Sequence, residues 1–149
     1  MRRRANGFYA EPYSGTTRPL NYEPCESLSM TTPSADSPIE IDCRQVNEKL
    51  TATKQTDSAE FVLLDCREED EYALVRIEFS RLLPMSEIAT RVEELAEHRD
   101  AEIIVYCHHG MRSLQVATWL RQQGFAHATS MIGGVDRWAI EIDPSLARY

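Results

Sequence analysis

The segment Glu102-Ile-Ile-Val-Tyr-Cys-His-His-Gly-Met-Arg-Ser113 decides the fold that we predict for this chain. Residues 103–107 form an uninterrupted apolar run, which is typical of a strand covered on both faces of a sheet. The residues after Cys107 turn polar, and Gly110 permits a positive φ within the loop. A helix is predicted directly afterwards, over 113–123. Strand, loop and helix in this order form the repeating unit of an α/β protein.

The sequence on either side continues the alternation of strands and helices from Ile39 onward. Further strands are predicted at 39–43, 61–66, 81–84 and 128–132, and further helices at 44–54, from Ser86 to about His98, and from Gly133 to about Ile142. This alternation predicts an α/β fold with a mainly parallel sheet. Ligand sites in such sheets lie beyond the carboxyl ends of the strands, where Asp65-Cys-Arg67 and the Cys107 loop are placed.

Length and charge exclude several classes of protein. The chain has 149 residues, with 16 Lys and Arg against 24 Asp and Glu and a net charge of −8. This length predicts one domain. The acidic balance argues against a nucleic-acid partner, because phosphate neutralisation needs clustered basic residues. No apolar run approaches the roughly 20 residues that cross a bilayer, so we expect no membrane partner.

Residues 1–38 differ in composition from the rest of the chain. They hold five of the seven prolines and many Ser and Thr residues. Such a segment buries too little apolar surface to offset its ordering entropy, so we predict a disordered N-terminal extension over 1–38 and a folded domain over 39–149. A docking peptide for a partner is the alternative. The four cysteines are widely spaced, which favours a reduced, cytoplasmic protein.

The loop after Cys107 has the composition of an anion site. A lone cysteine at the end of an apolar strand is most often a small buried hydrophobe. Here, however, the loop leads into a helix whose N-terminus carries partial positive charge, and Arg112 follows five residues after the sulfur. Each of these features favours a thiolate over a thiol. Cys107 is therefore the candidate nucleophile.

Three motifs give the chain a resemblance to the rhodanese family. Cys107-His-His-Gly-Met-Arg-Ser113 resembles the family's active-site loop, Leu64–Tyr72 its Asp-Val-Arg segment with a downstream Glu-Tyr, and Gly133-Gly134 with Trp138 its Gly-Gly-x-x-x-Trp motif. The motifs occur in the family's order and spacing across 39–149. One departure is Cys66, which stands where the family often has Val.

The resemblance implies a five-stranded parallel sheet with helices on both faces, and thiosulfate sulfurtransferase chemistry without a cofactor. Cys107 would be the nucleophile and persulfide carrier, and Arg112 would bind the donor's oxyanion or hold the loop. The implied donors are thiosulfate or a persulfide, and the implied acceptors are a thiol, cyanide or a protein cysteine. The remaining implied site residues are His108, His109, Gly110, Met111 and Ser113 around the sulfur, with Asp65 and Arg67 bracing the loop or lining its mouth.

Two other functions remain open at this stage. A cysteine-dependent phosphatase or arsenate reductase is the closest alternative. The phosphatase loop, however, has one more residue between Cys and Arg, and the residue six positions after Cys107 is Ser113 instead of Arg. A binding module without turnover is the second alternative. A metal is not expected at His108 and His109, because a structural zinc site needs four suitably spaced ligands.

Two further features have two interpretations each. Cys66 is either a buried stand-in for an aliphatic residue or a resolving thiol that could form a disulfide with Cys107. The acidic run Glu68–Glu71 is expected to be a solvated face near the pocket.

Overall fold

The computed structural model describes residues 37–56 and 61–149. The predicted N-terminal extension therefore lies outside the described residues, apart from Ser37 and Pro38. The backbone carbonyls of these two residues accept hydrogen bonds from the guanidinium of Arg121, at 3.0 and 3.1 Å. Within the described residues, no helix is both long enough and apolar enough to cross a membrane.

Five strands form one parallel sheet. They are β1 Glu40–Ile41, β2 Phe61–Asp65, β3 Arg81–Leu82, β4 Glu102–Tyr106 and β5 Ala128–Met131. The spatial order is β1-β5-β4-β2-β3, and every neighbouring pair runs parallel. The predicted α/β fold with a five-stranded parallel sheet is thereby confirmed. The two apolar strands, β2 and β4, are direct neighbours at the centre.

Helices cover both faces of this sheet. They are α1 Cys43–Thr56, α2 Glu69–Leu74, α3 Ile88–Arg91 with a 3-10 helix over Val92–His98, α4 Met111–Gln122 and α5 Gly134–Glu141. Side chains of β4 alternate between the two faces. Ile104 and Tyr106 share a core with Val46 of α1 and Trp138 of α5. Ile103 and Val105, with β2 residues such as Leu64, pack instead against α3 and α4.

The segment after Ser86 departs from the single predicted helix. Ser86 does not cap a helix, because its hydroxyl donates to Oε2 of Glu68 at 2.8 Å. The helix begins instead after Glu87, without a side-chain cap, and gives way after one turn to the 3-10 helix. The prediction of one continuous helix from Ser86 is therefore wrong. The local pattern does not contain the tertiary contact that engages Ser86.

A fully buried ion pair follows β2. The side chains of Asp65 and Arg67 are both 0% exposed and are joined by a 2.6 Å bond from Nη2 to Oδ2. Nε of Arg67 adds a 3.0 Å bond to Oδ1, and Nη2 also donates to the carbonyl of Val75 at 2.6 Å. Arg67 thus ties the end of β2 to the end of α2. A buried charge is tolerated only while its partner is present.

We predict that Arg67→Met lowers the free energy of unfolding by about 3–5 kcal/mol, because it leaves the Asp65 carboxylate buried without a counter-charge. Urea denaturation followed by circular dichroism measures the loss. Arg91→Met is the matched control, since Arg91 makes two ion pairs of 2.6 Å on the surface. Exposed pairs contribute about 0–1 kcal/mol. Equal losses in the two variants would contradict the prediction.

Candidate active site

Cys107 follows β4 directly, at the edge of the sheet where the strands end. The residue is 1% exposed, so only a small part of it faces solvent. The backbone N–H of Gly110 donates to Sγ at 3.1 Å. Gly110 is also the N-cap of α4 and has a φ of 99°, which turns the loop into the helix. The sulfur therefore lies at the N-terminus of α4, where the helix dipole favours a negative charge.

The environment of Cys107 stabilises its thiolate. The pKa of the Cys107 thiol is lowered to about 4, first by a hydrogen bond from the Cys66 thiol and then by the hydroxyl and N–H of Ser113 and the N–H of Gly110. Burial acts in the opposite direction. Because the donors outweigh burial, Cys107 is a thiolate at neutral pH. Ser113 itself is fully buried and shares a 2.8 Å hydrogen bond with Ser130.

The Gly133-Gly134 motif brings a second helix end onto the same loop. The backbone N–H of Val135 donates to the carbonyl of Cys107 at 2.8 Å, and that of Asp136 donates to the carbonyl of His108 at 3.1 Å. Gly134 has a φ of 58°, and a Cβ there would overlap both carbonyl oxygens. Only glycine permits this approach. The carbonyls of Cys107 and His108 therefore bind α5, while the N–H of Gly110 faces the sulfur.

Arg112 is held by an acidic residue that the sequence analysis assigned to a solvated face. Its two terminal nitrogens donate to the two carboxylate oxygens of Glu71, both at 2.7 Å. These bonds hold the pKa of Glu71 at about 2. The expectation of a solvated face is wrong for Glu71, whose side chain is 18% exposed. The signal was present, since Glu71 is the glutamate of the Glu-Tyr pair in the family resemblance.

Tyr149 is the other residue that sequence reasoning did not single out. Its ring stacks on His108 at 4.2 Å between centroids. Its hydroxyl accepts from Nη1 of Arg67 at 2.8 Å and donates to Oε1 of Glu71 at 2.9 Å. Tyr149 thereby joins the buried Asp65–Arg67 pair to the Glu71–Arg112 pair. Nothing in its local sequence indicates this role.

The two histidines and Met111 directly follow Cys107 in the chain and form the more exposed part of the loop, here called the entrance. His109 and Met111 are exposed, Met111 by 70%, whereas His108 is half-buried under Tyr149. Burial, with a smaller contribution from His109, lowers the pKa of His108 and so favours its neutral form. Of the predicted loop residues, Gly110 and Ser113 act on Sγ, whereas the guanidinium of Arg112 is bound to Glu71.

A cation could meet three ligand atoms at this entrance. One nitrogen each of His108 and His109 and one oxygen of Asp136 lie within 4.8 Å of one another. Asp136, however, already accepts a 2.8 Å bond from Arg148. Structural zinc is held by four ligands, whereas this group offers three, and one of them, Asp136, is already bound to Arg148. The described residues here therefore fit a metal poorly.

A cysteine thiolate in a loop at a helix N-terminus, at the carboxyl end of a parallel sheet, is the environment of a reactive rather than a structural cysteine. The chain belongs to the rhodanese-like domain family, whose family model matches residues 41–141. The match includes β2, β4, the Cys107 loop and all of α5.

Several relatives carry names that describe sulfur transfer. The chain is 33% identical to a sulfurtransferase of Allochromatium vinosum over 67% of its own length and 87% of the relative's. It is 34% identical to the thiosulfate sulfurtransferase GlpE of Coxiella burnetii, over 60% of this chain and 81% of that one. It is 28% identical to the rhodanese-like/PpiC domain-containing protein 12 of Arabidopsis thaliana, but spans only 37% of that protein's length.

Solved structures agree with this family. The crystal structure of a rhodanese-related protein from Thermoplasma volcanium is similar with a TM-score of 0.61 and 26% identity. The similarity covers 74% of this chain and 98% of that one.

We predict that the alkylation rate of Cys107 by iodoacetamide reaches its plateau in mildly acidic solution, since a lowered pKa keeps the reactive thiolate populated there. Peptide mass spectrometry after labelling at several pH values gives the midpoint for Cys107 alone. In Cys66→Ala the midpoint should rise, because the thiolate loses a hydrogen-bond donor. The urea-unfolded chain is the control. A native midpoint near the free-thiol value of about 8.5 would contradict the prediction.

We also predict that Gly134→Ala damages both stability and the loop. A left-handed residue with a Cβ costs about 1–2 kcal/mol on its own, and the overlap with the Cys107 and His108 carbonyls adds to this cost. Gly124→Ala is the matched control, because Gly124 also has a positive φ, 94°, but its Cβ would meet only the flexible Arg99 side chain. Urea denaturation and Cys107 alkylation measure the two effects. The prediction fails if both variants lose equal stability and keep wild-type labelling.

Proposed function

We propose that the protein is a sulfurtransferase that moves sulfane sulfur from thiosulfate, or a related persulfide donor, to a thiophilic acceptor through a persulfide on Cys107. The observation that carries this proposal is the Cys107 thiolate, held by N–H groups at the N-terminus of α4. The names of the relatives from Allochromatium vinosum and Coxiella burnetii support the same chemistry.

In the first step, the Cys107 thiolate attacks the outer sulfur of thiosulfate. The S–S bond of the donor breaks, sulfite leaves with the bonding electron pair, and a persulfide anion remains on the enzyme. The negative charge passes from Sγ to the new terminal sulfur during this step. The N–H groups of Gly110 and Ser113 that stabilise the thiolate are the nearest donors for that charge.

In the second step, a nucleophile such as cyanide, a thiol or a protein cysteine attacks the terminal sulfur. The S–S bond of the enzyme persulfide breaks, and its electron pair returns to Cys107 as a thiolate. Because the site favours the thiolate form, Cys107 is a good leaving group as well as a nucleophile. No cofactor is required for either step, and the cytoplasmic location stays a prediction.

Arg112 and Glu71 set the charge at the entrance. The bidentate pair presents a guanidinium whose charge is largely offset by a carboxylate. In this arrangement Arg112 holds the loop against α2. Its side chain is 35% exposed, and through this exposed part it would contact the oxyanion of a donor. His108 and Tyr149 form the neighbouring wall, past which the donor and acceptor approach Cys107.

Intact mass spectrometry of the full chain tests the proposal. Incubation with thiosulfate should add one sulfur atom, and subsequent cyanide should remove it as thiocyanate. Cys107→Ser should show no addition, because no other thiol lies in an N–H cradle among the described residues. Cys43→Ser is the matched control: Cys43 is also buried and free, but burial and the neighbouring carboxylates raise its pKa, so this variant should load normally. Failure of the wild type to take up sulfur from thiosulfate or from an alkyl persulfide would refute the proposal.

A further inference from the structure

Cys66 is the second thiol at this edge of the sheet, and the sulfur-transfer steps do not use it. It directly follows β2, and its backbone N–H donates to the carbonyl of Tyr106 at 3.0 Å. The register pairs Asp65 with Tyr106, so the next residues along the two parallel strands are Cys66 and Cys107. Both cysteines are free.

The two cysteine side chains lie on the same face of the sheet. Alternation places Leu64 and Cys66 of one strand, and Val105 and Cys107 of the next, in one buried cluster. Neighbouring strands lie about 4.8 Å apart. A disulfide joins residues whose Cα atoms are about 4.4–6.8 Å apart, so the strand spacing already meets this requirement.

The two sulfur atoms also differ in chemical state. The Cys66 thiol lies near enough to the Cys107 sulfur that its hydrogen bond is the first cause of the lowered pKa of Cys107. This bond and burial raise the pKa of Cys66, so it remains a thiol while its neighbour carries the charge. Oxidation of Cys107 to a neutral sulfenic acid would remove the negative charge that holds the proton on Cys66.

We propose that Cys66 is a resolving thiol that forms an intramolecular disulfide with Cys107 when a peroxide oxidises the site. First, the Cys107 thiolate attacks hydrogen peroxide, the O–O bond breaks, and Cys107 becomes a sulfenic acid. The leaving hydroxide takes a proton from solvent and becomes one water. The Cys66 sulfur then attacks the Cys107 sulfur, the S–O bond breaks, and the oxygen leaves as a second water with the proton of Cys66. Two thiols supply the two electrons that reduce one peroxide.

The disulfide would protect the nucleophile. A sulfenic acid without a resolving thiol proceeds to sulfinic and sulfonic acids, which are not recovered by a thiol reductant. A disulfide is instead reversed by exchange with a dithiol. Disulfide formation needs only the two thiols, whereas its effect on sulfur transfer rests on the proposed function.

Peptide mapping of the full chain without reduction tests the disulfide itself. The wild type and a Cys25→Ser variant are treated with hydrogen peroxide at equal molar ratio, since Cys25 lies outside the described residues. Both should yield a linked pair of peptides containing Cys66 and Cys107, with a loss of two hydrogens from the intact mass that dithiothreitol reverses. Absence of the linked peptides, or linkage of Cys107 to another cysteine, would overturn the proposal.

Variants at Cys66 and Cys43 test the protective role. Cys66→Ala and Cys66→Val should accumulate the sulfinic acid of Cys107 and fail to recover after dithiothreitol, whereas Cys43→Ala should behave as wild type. Cys43 is the matched control because it is equally buried, but its Sγ faces carboxylates of Asp42 and Glu141 at 3.9 and 3.8 Å. The two Cys66 substitutions differ in volume, and the thermal unfolding of each is compared with that of the wild type. This comparison separates the effect of losing the thiol from the effect of losing the fold.

Equal recovery of the Cys66 variants and the wild type would exclude a resolving role. All of these results are read by mass at Cys107, so they are independent of whether thiosulfate loads the enzyme. A chain that forms the disulfide but takes up no sulfur would refute the proposed function and leave this inference standing.

Discussion

The rest of the site depends on keeping a negative sulfur almost entirely out of water. A buried charge is costly unless donors replace its hydration. Here the donors are backbone N–H groups at the start of α4 and the thiol of Cys66. Because backbone donors are fixed by chain geometry, the loop must hold a defined shape, and most of the surrounding contacts maintain that shape.

Three of those contacts come from different parts of the chain. The N-terminus of α5 binds the loop carbonyls, which prevents them from turning toward the sulfur. Gly134 makes that approach possible. On the opposite side, Arg112 is fixed to α2 through Glu71. The Tyr149 hydroxyl then links Glu71 to the buried Arg67. A continuous chain of charge-assisted hydrogen bonds thus runs from the core to the entrance, and such networks rigidify a site when every member is satisfied.

The arrangement of β2 beside β4 gives the site its second thiol. Asp65 and Arg67 form a buried ion pair on one face of the strand. Cys66, which lies between them in the chain, is on the opposite face, in the same buried cluster as Cys107. One tripeptide therefore serves both stability and the chemistry at Cys107. A substitution of Cys66 by Val would keep the apolar packing but remove both a hydrogen-bond donor and a redox partner.

The sequence alone determined the fold class and pointed to Cys107 as the candidate nucleophile. The apolar runs at 61–66 and 102–107, the helical segments between strands and the Cys-x-x-x-x-Arg loop are local patterns, and local patterns carry strand, helix and loop information. Only the tertiary structure decided that Glu71 pairs with Arg112, that Tyr149 joins two ion pairs, that Ser86 bonds Glu68 instead of capping a helix, and that Cys66 meets Cys107. These contacts join residues that are distant along the chain, and their partners are fixed by strand register and helix packing, which periodicity does not encode.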